Sequence, residues 1–186
     1  DRQRKRARRP AEAVALLEKI GAILADRAHA PAAAEAVWNE ILSIEPGHAK
    51  ALRTLRELYA AAGDWDGLER LYGGLGQWDE LVDALIGLGD RQDDRDARLA
   101  LVRRAARVAS ERQEPEKAAR VWEKVLAIEP TDAIAARALV PTYQKSDKPA
   151  KLLPVYEVLL AHCHTRDERL AQMAEIRALC EQRLGS

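Results

Sequence analysis

The chain has 186 residues with 30 basic and 30 acidic side chains, so its formal net charge at neutral pH is zero. Apolar residues at 47% and charged residues at 32% exclude an intrinsically disordered chain. A zero net charge gives no long-range attraction for nucleic acid or anionic membranes, and the uncharged runs are too short to cross a bilayer.

The first nine residues are strongly basic. They include Arg2, Arg4, Lys5, Arg6, Arg8 and Arg9. Such a run is typical of a nucleic-acid arm or a juxtamembrane segment, and more commonly of a solvated linker or a frayed helix end. We interpret residues 1–10 as a basic linker or frayed helix start and residues 11–186 as a repeat domain. A start at Asp1 without Met favours a fragment of a longer polypeptide.

Apolar residues recur with helical periodicity through the rest of the chain, and no alternating strand pattern occurs. We predict about ten helices joined by short turns. Their approximate ranges are 11–28, 31–45, 51–62, 65–72, 78–88, 97–112, 115–129, 131–144, 149–161 and 167–183. Gly63 is predicted as a left-handed cap, and Asp64 as the N-cap of the fourth helix.

One stretch occurs twice. The segment 115–130, PEKAARVWEKVLAIEP, repeats the pattern of the segment 31–46, PAAAEAVWNEILSIEP. In both copies a proline opens a helix, where the missing N–H has no intrahelical partner, and a second proline stops it. The chain is therefore built of repeats.

The two copies set the phase of a repeat of about 34 residues, with units that begin at Ala15 and Ala49 and again at Leu99 and Ala133. Each unit spans two helices, and its characteristic positions carry small or aromatic residues. These are Ala34 and Ala118, Tyr59 and Tyr143, and Trp38, Tyr72, Trp122 and Tyr156. With this pattern the chain resembles the tetratricopeptide repeat family, as a bacterial-type array, from about residue 11 to 183.

The resemblance implies an all-α right-handed solenoid of about five helical hairpins. Members of that family hold peptides or protein surfaces in a concave groove. Two departures concern packing. Arg56 and Val140 stand where the family carries a small residue, and Pro141 and Pro154 are expected to kink or shorten their helices.

A third departure is an insertion. The distance along the chain from Ala49 to Leu99 exceeds one repeat by almost half of another. The excess is predicted to form an extra short helix over about residues 78–88, between glycine stops.

Sites for chemistry are few. The chain lacks the Gly-x-Ser-x-Gly, phosphate-loop and His-Glu-x-x-His motifs, so we expect no enzymatic activity and no cofactor. His162, Cys163, His164 and Cys180 have zinc-ligand side chains, but their spacing does not complete a tetrahedral site. We expect the two cysteines to be reduced and the protein to be cytoplasmic.

The eight aromatic residues fall at repeat-defined positions, which favours packing between helices over base stacking. Nucleic-acid binding is therefore not expected.

The fifth position of the first helix is basic in all four in-phase units. The residues are Lys19, Arg53, Arg103 and Arg137, and Arg107 lies one turn beyond Arg103. In the family that position faces the groove, and in its chaperone-binding members basic residues there bind the carboxylates of a peptide C-terminus. Guanidinium groups suit this task because they form paired charge-assisted hydrogen bonds. The alternative interpretation is an ordinary solvated helix face in an Arg-rich chain.

The sequence thus predicts a noncatalytic protein-protein interaction scaffold that binds an acidic peptide or protein segment. The alternative is a regulatory or assembly domain of a larger signalling or membrane-attached protein. Self-association through the apolar faces of the end repeats is a third hypothesis.

Overall fold

The computed structural model describes residues 2–26, 30–112 and 114–181. Within these ranges the chain forms ten α-helices and no β-strand. The helices are α1 Arg2–Asp26, α2 Pro31–Ile44, α3 Ala49–Ala62, α4 Trp65–Gly74, α5 Trp78–Asp90, α6 Arg95–Glu111, α7 Pro115–Ile128, α8 Ala133–Lys145, α9 Pro149–Ala161 and α10 Arg166–Leu179. The prediction of an all-α fold with about ten helices is confirmed.

The helices divide between two compact units. Unit 1 comprises residues 1–77 with α1–α4, and unit 2 comprises residues 78–186 with α5–α10. Within each unit every helix packs against the next one in the chain. This arrangement of successive helical hairpins confirms the predicted all-α repeat architecture.

The local signals that start and stop these helices act as predicted. Gly63 ends α3 in the left-handed conformation with φ 66°, and the Asp64 carboxylate caps α4 by accepting the Gly67 N–H at 2.8 Å. In the second copy, in unit 2, the residue at the position of Gly63 is Asp147, which has φ 50°. A non-glycine residue tolerates this region when its short side chain can bond locally, as Asp can.

The repeat-defined aromatic and small residues belong to the core of both units, together with buried leucine, isoleucine and valine side chains. All six aromatic side chains at these positions are buried, with exposures of 1–7%. Trp38 packs on Gly21 so closely that a Cβ at this glycine would lie 2.8 Å from the indole ring. The packing role predicted for these aromatics is confirmed.

Arg56 shows how a large residue fits at a position where the family has a small one. Its guanidinium lies 4.6 Å from the centre of the Tyr72 ring and donates a hydrogen bond to Gln77 Oε1 at 3.0 Å. The Arg56 side chain thus runs along the hairpin and covers the Tyr72 ring.

Helix bounds differ from the prediction at α1, which begins at Arg2 instead of residue 11 and contains Pro10. The interpretation of residues 1–10 as a basic linker or frayed helix start stays a prediction. Pro141 and Pro154 both lie inside helices that continue past them, so neither proline ends its helix. The expected kink at each proline stays a prediction. Each proline costs one intrahelical hydrogen bond, which the buried neighbours Leu139 and Val155 offset by packing.

The extra helix α5 belongs to the core of unit 2. Leu81, Val82 and Leu85 are at most 2% exposed, and Gly89 lets α5 approach Val102 of α6 closely. Helix α5 therefore covers one face of α6. Among the described residues, no helix has the length and apolar composition that a membrane crossing requires.

Candidate functional site

The five predicted binding residues all lie on the first helices of hairpins. Lys19 is on α1 and Arg53 on α3 in unit 1, and Arg103 and Arg107 are on α6 and Arg137 on α8 in unit 2. Arg103 is half-buried, and the other four are exposed.

Arg103 already has a partner within unit 2. Its Nε donates to Asp132 Oδ2 at 2.6 Å, and the Asp132 side chain is only 1% exposed. The other carboxylate oxygen of Asp132 caps α8 by accepting the N–H groups of Ile134 and Ala135, both at 2.9 Å. Arg103 therefore compensates a buried capping charge, and part of its guanidinium is occupied.

Unit 1 forms a link of the same kind, with the acidic side chain on the first helix of the hairpin instead of at the N-cap. The N-cap of α3 is His48, at the repeat position that Asp132 has in unit 2, and its Nε2 lies 3.1 Å from Glu18 Oε1. Lys50 donates to the other oxygen of Glu18 at 3.3 Å. The acidic side chain is here on the first helix, so Lys19 is not needed for this link.

Lys19, Arg53 and Arg137 are the more available cations. Among the described residues, no ion pair or hydrogen bond engages their side chains. Glu57 follows Arg53 by one helical turn and adds an acidic group to that face. Arg107 lies within 3.8 Å of Glu111 on the same helix.

A buried tyrosine organises a polar cluster at the second hairpin of unit 2. The Tyr143 hydroxyl donates to Glu123 Oε1 at 2.7 Å, and Lys151 Nζ donates to the same oxygen at 2.6 Å. These hydrogen bonds, first from Lys151 and then from Tyr143, lower the pKa of Glu123. Burial and the neighbouring carboxylate raise the pKa of Tyr143. Unit 2 therefore holds a carboxylate, a phenol and an ammonium together.

Unit 1 has the tyrosine and a carboxylate but no lysine. Tyr59 donates to Glu35 Oε1 at 3.1 Å and accepts from Asn39 Nδ2 at 3.2 Å. Burial is the largest cause of the raised pKa of Tyr59.

These groups line a cavity of about 360 Å³ between α2, α3 and α4, together with Arg70 and several leucines. Sequence reasoning did not find this cavity. The sequence does contain a signal for it. When the two repeat copies are aligned, Gly67 stands at the position of Lys151 and Gly74 at the position of Val158, so unit 1 lacks two side chains that unit 2 has.

The histidine and cysteine side chains within the described ranges do not gather into a site. No group of three His, Cys, Asp or Glu residues suited to a metal ion occurs in the part of the chain that the structure describes. His29 lies outside the described residues. Cys163 and Cys180 are both unpaired and half-buried.

No family model matches the chain, and no curated protein matches it. Several solved structures are similar. The pilF protein of Pseudomonas aeruginosa is 15% identical, with coverage of 95% of each chain and a TM-score of 0.43. A putative kinesin light chain with TPR-like repeats from Podosopora anserina is 19% identical, with coverage of 95% of this chain and 89% of that one and a TM-score of 0.41. MamA is 17% identical, with coverage of 94% and 96% and a TM-score of 0.33. At these identities the likeness concerns the fold alone.

Proposed function

We propose that the chain is a noncatalytic scaffold that binds acidic segments of partner proteins through the basic side chains of its first helices. The observation that carries the proposal is the regular recurrence of these cations. Lys19 and Arg53 occupy the same position of successive repeats in unit 1, and Arg103 and Arg137 do so in unit 2. Repeated hairpins present equivalent side chains at regular intervals, which suits an extended or helical segment that crosses two of them.

The energetics favour several weak contacts over one strong contact. An exposed ion pair contributes about 0.2–1 kcal/mol, so one arginine cannot hold a partner alone. The exposed guanidinium groups of Arg53 and Arg137 can each form paired hydrogen bonds with a carboxylate. Affinity is therefore expected to depend on several cations and to weaken as salt rises.

The unpaired state of Cys163 and Cys180 suits a reducing compartment. We place the scaffold in the cytoplasm for this reason.

The test begins with affinity capture of partners from the native cell and direct binding measurements with the captured acidic segment. The double variant Arg53→Glu with Arg137→Glu is expected to abolish binding, because two attractive contacts become repulsive. Both side chains are exposed, so far-UV circular dichroism should show unchanged helicity.

A matched control reverses two other exposed arginines, Arg91→Glu with Arg120→Glu, and changes the net charge by the same amount. It should leave the affinity nearly unchanged. The proposal fails if the variant at Arg53 and Arg137 binds as tightly as the natural chain, or if both double variants lose affinity equally.

A further inference from the structure

The cavity in unit 1 joins a polar wall to an apolar one. Glu35, Asn39, Tyr59 and Arg70 form the polar side, and leucines from α2, α3 and α4 form the apolar side. Its volume of about 360 Å³ falls in the range of pockets that bind small ligands or single side chains.

Unit 2 has a lysine of its own beside the corresponding tyrosine, with a side chain that is about half exposed. Lys151 Nζ lies 2.6 Å from Glu123 Oε1 and 5.5 Å from the centre of the Tyr143 ring. The ammonium therefore contacts a carboxylate and an aromatic ring at once, a combination that attracts cations.

In unit 1 no side chain from the third position of α4 can occupy this place. Gly67 corresponds to Lys151, and a Cβ on Gly67 would lie 2.6 Å from the Tyr59 ring. Gly74, further along α4, has open space where unit 2 carries Val158.

The residue of unit 1 that aligns with Glu123 is Asn39, so the carboxylate beside the tyrosine comes from Glu35, one helical turn earlier. This half-buried carboxylate accepts the Tyr59 hydroxyl and faces the cavity, whose lining also includes Arg70.

We infer that this cavity binds a lysine side chain of a partner protein, flanked in the partner's sequence by an apolar residue. The lysine ammonium contacts Glu35 beside the Tyr59 hydroxyl, and the apolar neighbour packs on Leu42 and Leu71. Arg70, whose guanidinium lies 3.8 Å from Asp64, provides donors for a backbone carbonyl of the segment.

This site differs from the proposed acidic-segment surface in its place and in its charge preference. The acidic-segment surface uses exposed cations of the first helices, whereas the cavity uses a carboxylate on the second helix α2. Each can therefore fail without the other.

The test uses the full chain and two blocked dipeptides as probes, N-acetyl-leucyl-lysine amide and N-acetyl-leucyl-norleucine amide. Binding is followed by NMR shifts of the Leu42 and Leu71 methyl groups and the Tyr59 ring. We expect saturable shifts with the lysine probe and about tenfold weaker binding of the norleucine probe, which lacks the charge-assisted hydrogen bond.

Two variants localise the binding. Glu35→Gln keeps the side-chain shape and should reduce lysine-probe affinity to the norleucine level. Gly74→Val fills the cavity with the residue that unit 2 carries and should remove the shifts of both probes. The controls are Glu40→Gln on the same helix and Gly87→Val, another helical glycine with open space. Both should bind like the natural chain.

The inference is overturned if neither probe gives saturable shifts at these residues. It is also overturned if the two dipeptides bind equally, or if Glu35→Gln binds the lysine probe as tightly as Glu40→Gln does.

Discussion

Single buried polar residues decide how the hairpins of this chain are joined. Asp132 is 4% exposed and satisfies two N–H groups of α8 while it pairs with Arg103 on α6. His48 performs the same capping in unit 1 with a Glu18 partner. The cap is therefore also the link between one hairpin and the next, so its loss affects more than one helix end.

We expect Asp132→Ala to lower the free energy of unfolding by about 2–3 kcal/mol, because it removes a buried cap and the partner of Arg103. The matched control is Asp94→Ala, which removes an exposed cap that accepts the N–H of Ala97. A loss of about 1 kcal/mol is expected there. Urea denaturation measures both, and equal losses would contradict the linking role of Asp132.

Glycines set the distance between helices at the scale of the element. Gly67 of α4 lies against the Tyr59 ring of α3, whereas Gly87 of α5 has open space around the position of a Cβ. The same residue type therefore has opposite roles in two helices. At one position it permits close packing, and at the other it only lowers helix propensity.

Gly67→Ala is expected to destabilise the protein by about 1–3 kcal/mol, because the new Cβ must displace the Tyr59 ring. Gly87→Ala should stabilise it by about 0.5–1 kcal/mol, since alanine favours the helix and meets no neighbour. Thermal and urea unfolding of the two variants provide the measurement. A stabilising effect of Gly67→Ala would show that α3 and α4 do not pack as described.

The whole molecule consists of two compact units, and α5 decides where unit 2 begins. Trp78, the first residue of α5, lies beneath the Arg112 guanidinium, and Asp79 pairs with Lys117 of α7. With its buried leucines, α5 covers apolar residues of α6 that would otherwise face water.

We therefore expect the fragment 78–186, produced alone, to keep its helicity and to unfold cooperatively. Circular dichroism and the fluorescence of Trp78 and Trp122 would follow this unfolding. The shorter fragment 91–186 lacks α5 and exposes Leu101 and Val102, so it should lose stability and bind hydrophobic dyes. An unfolded 78–186 fragment would contradict the division into units.

The sequence by itself determined the hairpins, their period and most helix bounds. These features depend on local chemistry, such as prolines at helix starts, the left-handed Gly63 and the Asp64 cap, and on aromatic residues that recur at fixed spacing. The five basic residues were also placed on the correct helices, although their binding role stays a prediction.

Only the tertiary structure decided which polar groups meet. Arg103 and Asp132 are 29 residues apart, and Tyr59 and Glu35 are 24 apart. Whether such groups meet depends on how closely two helices approach. Single-residue differences, such as Gly67 in one copy and Lys151 in the other, control that distance. Periodicity reports the face on which a side chain lies, but not the distance to the neighbouring helix. The alignment of the two copies shows where unit 1 carries glycines, whereas the cavity beside them follows from the distances between α2, α3 and α4.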